Sequence, residues 1–110
     1  MTEIAKVLIV LTTCPNGEVG VQLSRTLVEE RLAACVNCLA GMVSTYIWEG
    51  AVQTDQETLL LIKTTEERFE AVKRRIGELH PYELPEVVAI PVCAGTEKYL
   101  EWVRDNVKSP

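Results

Sequence analysis

Apolar side chains fall along this chain in two rhythms, and each change of rhythm marks a new element. Lys6–Thr13 contains Val7 to Leu11, apolar at every position. A run without polar alternation suits a strand covered on both faces. Cys14-Pro15-Asn16-Gly17 is a turn signal. From Val19 to Arg31 the spacing becomes helical. Val19, Leu23 and Leu27 form a stripe, Val21, Val28 and Leu32 widen it, and Gln22, Arg25 and Glu29 face outward. Ala34–Trp48 and Ala51–Thr64 return to strand character on either side of Glu49-Gly50. They predict a hairpin with arms longer than the usual strand. In its first arm Val43, Thr45 and Ile47 alternate with Ser44, Tyr46 and Trp48, so both faces carry bulk.

Thr64-Thr65-Glu66-Glu67 has the pattern of a capping box, with the hydroxyl on the amide of Glu67. Phe69, Val72, Ile76 and Leu79 then follow at helical spacing, with Lys73, Arg74 and Arg75 among Glu70 and Glu78 as a solvated face. His80-Pro81 ends that helix, because proline disfavours helical geometry in the residue before it. Val87–Val92 reads as the last strand. Pro91 within it donates no ladder hydrogen bond, which places it at an edge. Gly95-Thr96 opens a final helix, Glu97–Val107, with Leu100, Val103 and Val107 as its apolar stripe and Tyr99 and Trp102 beside it.

The order is strand, helix, strand, strand, helix, strand, helix. It predicts an α+β fold: a ferredoxin-like split βαβ antiparallel sheet with a long second hairpin and an extra C-terminal helix. The first and third strands are then central and the second and fourth are edges. Both helices of that motif cover the same face. The other face carries Leu, Val, Ile, Tyr and Trp side chains with only the last helix to cover them. A long hairpin that is apolar on both faces exposes a large patch as a monomer, so self-association with edge strands pairing between copies is expected.

Composition narrows the function. The 110 residues fit one domain, 1–110. With 47% hydrophobic and 25% charged residues, close to the globular average, an ordered domain is expected. A net charge of −5 argues against nucleic acid as a partner. Val7 to Leu11 is too short for a membrane span, and Met1-Thr2-Glu3 is not a basic leader, so a cytoplasmic location is expected. Cys14, Cys35, Cys38 and Cys93 are then expected to stay reduced.

Six segments carry a likeness to a known family: Thr12 to Pro15, Leu27 to Asn37, Tyr46 to Gly50, Leu61 to Thr64, His80 to Glu86, and Tyr99 to Trp102. Together they span nearly the whole chain, which resembles the CutA divalent-cation-tolerance proteins. The resemblance implies a ferredoxin-like protomer in a tight homotrimer, with long hairpins extending each sheet into a neighbour. It implies a role in tolerance of divalent cations, copper above all. It also implies a likeness to the nitrogen-regulatory PII proteins, hence a signalling or small-ligand role, or a scaffold trimer that anchors another protein. Copper-binding members tend to carry a cysteine at the position of Thr12 here, a point of departure.

His80 is the single histidine, a ready metal ligand near neutral pH, in a rigid His-Pro-Tyr segment that the resemblance places in the proposed metal site. The alternative is a solvent-facing residue favoured by the helix dipole. Cys14 precedes a helix, whose N-terminus would lower its thiol pKa and suit it to copper. Glu86 is a candidate hard ligand for a divalent metal, or a salt-bridge partner of Lys63. Cys35 and Cys38 have metal-pair spacing, yet on a strand they point to opposite faces. Tyr46, Trp48, Lys63, Tyr82 and Trp102 are candidates for an inter-subunit cleft or seam, with Lys63 meeting an anion. An enzyme is the competing class. Acylphosphatases share the sheet, but the turn at Cys14 lacks their arginine and glycine run. No nucleophile elbow, phosphate loop or HExxH motif occurs either.

Overall fold

Every position of Val7 to Leu11 is apolar because β1 (Val7–Cys14) lies inside the sheet. The computed structural model describes residues 4–109. Antiparallel β3 (Ala51–Thr65) runs along one side of β1 and antiparallel β4 (Val88–Pro91) along the other. β2 (Cys35–Trp48) pairs outside β3, for the order β2-β3-β1-β4. The two most apolar runs are thus central and the proline-bearing strand is an edge, as the pattern predicts. β4 has a neighbour on one side only, the position in a sheet that tolerates proline.

α1 (Gly17–Glu29) and α2 (Phe69–Leu79) cover one face of this sheet. The Asn16 side chain caps α1, accepting the Val19 amide at 2.9 Å. Leu23 and Leu27 of α1 and Val72 and Ile76 of α2 pack on Val10, Cys14, Leu60 and Ile62 in one buried cluster. Val10 stands directly opposite Ile62 in the β1–β3 ladder, so both point to the helices. Burial of each such side chain stabilises the fold by about 1.5–3 kcal/mol.

Three local expectations are corrected. Val21 is 56% exposed, since two residues from Val19 and Leu23 is about 200° around a helix, and Val28, about 100° from Leu27, also faces solvent. Leu79, at the end of α2, is exposed as well. The capping box does not form. β3 runs on to Thr65, a 3₁₀ turn (Glu66–Arg68) precedes α2, and no side chain caps it. The buried Thr64 hydroxyl instead donates to the Leu32 carbonyl at 2.7 Å. A buried carbonyl without a donor costs more than exposed amides that water can satisfy.

The opposite face is only partly covered. α3 (Glu97–Asp105) lies across one end, where Val103 and Val107 bury Val7, with Ala34, Val92 and Leu100 around them. Beyond α3 the hairpin continues and draws the molecule out to 51 × 25 × 22 Å. Leu39, Tyr46, Trp48, Val88 and Ile90 stay exposed on this open face. Val43, Ile47 and Val52, on the hairpin's other face, extend past the helices and are exposed too.

One irregularity decides which residues share that open face. Leu39 pairs with Leu59 but Met42 pairs with Glu57, so Ala40 and Gly41 together oppose Thr58. This β-bulge shifts the parity of the strand. Cys35, Asn37 and Leu39 share a face with Met42, Ser44, Tyr46 and Trp48, not with Val43 and Ile47. Gly41 holds the bulge at φ +80°, a left-handed conformation that a Cβ disfavours. A Cβ there meets no atom within 4 Å, so Gly41→Ala tests backbone conformation alone. We expect it to lower stability by about 1–2 kcal/mol, read from the denaturant midpoint; an unchanged midpoint would show that the bulge does not need glycine.

Candidate functional site

The segment after α2 is turned inward by its histidine. His80 adopts extended backbone before Pro81, and its ring is buried. Nδ1 accepts the Tyr82 amide at 3.1 Å, so the proton sits on Nε2, which donates to the Thr13 carbonyl at 2.7 Å. The ring therefore ties the segment to the end of β1 and sets Tyr82 against it, with ring centroids 4.7 Å apart. The Tyr82 hydroxyl then donates to Glu57 Oε2 at 2.8 Å. Glu57 lies on the open face opposite Met42 and is only 9% exposed. Farther along the hairpin the Tyr46 hydroxyl donates to the Asp55 carboxylate.

These residues frame a groove of about 780 Å³ between the base of the hairpin and the segment after His80. Leu11, Met42, Trp48, Leu59 and Leu84 supply apolar walls; Tyr46 and Tyr82 add aromatic ones; Glu57, Glu83 and Glu86 bring carboxylates. Among the described residues no lysine or arginine lines it. Burial, and next the hydrogen bond to Glu57, push the Tyr82 phenol above the ordinary tyrosine range. The hydrogen bond to Asp55 raises that of Tyr46. Both phenols therefore keep their protons at neutral pH and act as donors to carboxylates.

The expected site residues divide into those at the groove and those elsewhere. Tyr46, Trp48, Tyr82 and Glu86 line it, and His80 buttresses it from behind. The expectation of a solvent-facing His80 is corrected, and both ring nitrogens are engaged. Lys63 does not reach the groove; its ammonium bonds Asn37 Oδ1 and lies 4.0 Å from Cys35 Sγ. Trp102 sits on α3, stacked on Tyr99 at 5.7 Å. Cys14 is the last residue of β1 rather than part of the turn, and its side chain packs in the core under α1. Burial, with smaller contributions from Cys38 and Glu57, pushes its thiol up to about 11, which reverses the lowering expected of a helix N-terminus. Cys35 and Cys38 face opposite sides of β2, as expected, and Cys38 Sγ meets Ser24 Oγ at 3.1 Å.

Among the described residues no group of three or more His, Cys, Asp or Glu side chains converges to hold a metal ion. His80, Cys14 and Glu86 thus form no such group within one chain. Sequence reasoning missed Glu57, Asp55, Glu83 and Leu84. Glu57 was traceable, since it falls in step with Leu59 and Leu61 and so belongs to the same face.

The family model described as CutA1 divalent ion tolerance protein matches residues 8–106. The chain belongs to this CutA1 family. It is 51% identical over 98 residues to the divalent-cation tolerance protein CutA of Thermus thermophilus, covering 89% of this chain and 95% of that protein. It is 43% identical over 102 residues to the chloroplastic CutA of Arabidopsis thaliana, covering 93% of this chain but only 56% of that protein's length. A crystal structure of CutA1 from Oryza sativa matches with a TM-score of 0.94 at 42% identity, over 96% of this chain and 97% of that one. One of these relatives is chloroplastic by name, so family membership fixes no single compartment. Among the described residues no helix is long and apolar enough to cross a membrane.

The Cys14 environment yields a prediction. A thiol raised from 9.0 to about 11 in the folded state adds stability below pH 9 that is lost as pH rises toward 11. At pH 8 the native protein is expected to leave Cys14 unlabelled by a maleimide, with labelling on denaturation, as read by peptide mass spectrometry. Rapid labelling of Cys14 in the native state would contradict its burial.

Proposed function

We propose that the chain acts without catalysis, as a cytoplasmic homotrimer of ferredoxin-like protomers that takes part in divalent-cation tolerance and binds a metal ion or small ligand in a cleft between copies. One observation carries the reading: α1 and α2 cover only one face of the sheet, α3 covers only an end of the other, and the hairpin projects with apolar side chains on both sides. Exposed apolar surface of this extent marks an interaction site. β2 and β4 also offer free backbone groups at the two edges of the sheet, templates for pairing with another copy. The groove opens on this same uncovered face, so a neighbour seated there would close it into a cleft. Four free cysteines agree with a reducing compartment.

Light scattering on a dilute sample tests the assembly. The expected mass is three times the 12.3 kDa of one chain. A stable single-chain mass at micromolar concentration would overturn the reading.

The copper part of the proposal rests on family membership, because one chain gathers no ligand set. Ligands from more than one copy would then have to meet at the seam. Because both His80 nitrogens are already bonded, copper titration of the wild type and of His80→Ala is expected to give affinities within about twofold, a difference of under 0.5 kcal/mol. A tenfold loss in the variant would show that the ring turns out to ligate the ion.

A further inference from the structure

We infer that the groove is built for a small organic cation, an ammonium or guanidinium head on an apolar body. This rests on the proposed ligand cleft and names the chemistry of its occupant. Glu57 is the central observation. The residue as a whole is only 9% exposed and lines the groove, and Tyr82 is its one side-chain hydrogen-bond donor among the described residues. It makes no ion pair: the salt bridges among the described residues all involve other carboxylates. A carboxylate has about four acceptor sites, and Tyr82 fills one of them. Tyr82 donates to Oε2 only, so the other Glu57 oxygen has no protein donor among the described residues and is free to accept from a ligand in the groove.

The surroundings select the ligand's sign and shape. Glu83 and Glu86 stand at the same groove and no basic side chain among the described residues offsets them, so an anion is repelled. The lysine expected to meet an anion is held elsewhere by Asn37. A bare metal ion needs converging ligands, and the carboxylates here do not converge. The walls are instead aromatic and aliphatic: Tyr46, Trp48, Tyr82 and Leu84. Aromatic faces attract a cationic head and shield an apolar body, and about 780 Å³ lies within the usual size of small-molecule sites.

The test uses the full chain and phenethylamine as the probe, with phenylacetate as the anion of matched body and magnesium chloride as the bare cation. Calorimetry is expected to show saturable phenethylamine binding, at least tenfold weaker in Glu57→Gln and several-fold weaker in Glu83→Gln combined with Glu86→Gln. Glutamine keeps an acceptor for Tyr82 and nearly the same volume, so Glu57→Gln is expected to fold, and circular dichroism checks this. Phenylacetate is expected not to bind, a comparison that holds on the wild type alone if the variant unfolds. Equal binding of the anion, displacement of the amine by millimolar magnesium, or no amine binding would each overturn the inference. Light scattering on the same samples separates it from the assembly. Amine binding by a single-chain species removes the trimer and keeps this site, whereas a trimer that takes no amine removes this site alone.

Discussion

A sheet has two faces, and the two helices that its connections supply both fall on the same one. Leu23, Leu27, Val72 and Ile76 seal that side over Val10, Leu60 and Ile62 and leave no room for solvent. The other side receives only α3, which reaches Val7 and goes no farther. The imbalance follows from handedness: each crossover from one strand to a parallel one turns the same way, so both helices land together. The open face, the groove on it and the projecting hairpin are consequences of that constraint. Adding polar residues would not relieve it, because the central strands β1 and β3 must be apolar for the covered side to hold.

The groove gains its chemistry from a short chain of contacts. The Thr13 carbonyl holds the His80 ring, the ring holds the Tyr82 amide, and the Tyr82 hydroxyl holds Glu57. Each link fixes the next. With Tyr82 on one oxygen, Glu57 is held in place and its other oxygen faces the groove free of any protein donor among the described residues. The fold thus uses its one histidine as a brace, and the acid it helps to position becomes the group available for recognition.

Much of the architecture was legible from periodicity. The unbroken apolar run of β1, the proline in β4 and the helical stripe through Leu23 and Leu27 each report a burial environment directly. What stayed hidden depends on contacts between distant segments. Thr64 has the local pattern of a cap, but the carbonyl of Leu32, far away in sequence, claims its hydroxyl. His80 has the composition of a ligand, and only the folded chain shows that Thr13 and Tyr82 occupy it. Cys14 stands three residues before the start of α1, yet strand parity turns it into the core. Lys63 shares its face with the groove but sits at the wrong end of the strand.

The bulge at Ala40-Gly41 gives the hairpin an arithmetic of its own. Side chains alternate along a strand, so the identity of the groove wall depends on whether an even or odd number of residues separates it from the anchored end at Cys35. Over evolutionary time, a two-residue insertion would lengthen the arm and keep Tyr46 and Trp48 on their side. Loss of the single extra residue would exchange them for Thr45 and Ile47, trading an aromatic surface for an aliphatic one. Binding preference in this region can therefore change in one step by indel, with no substitution at any wall position.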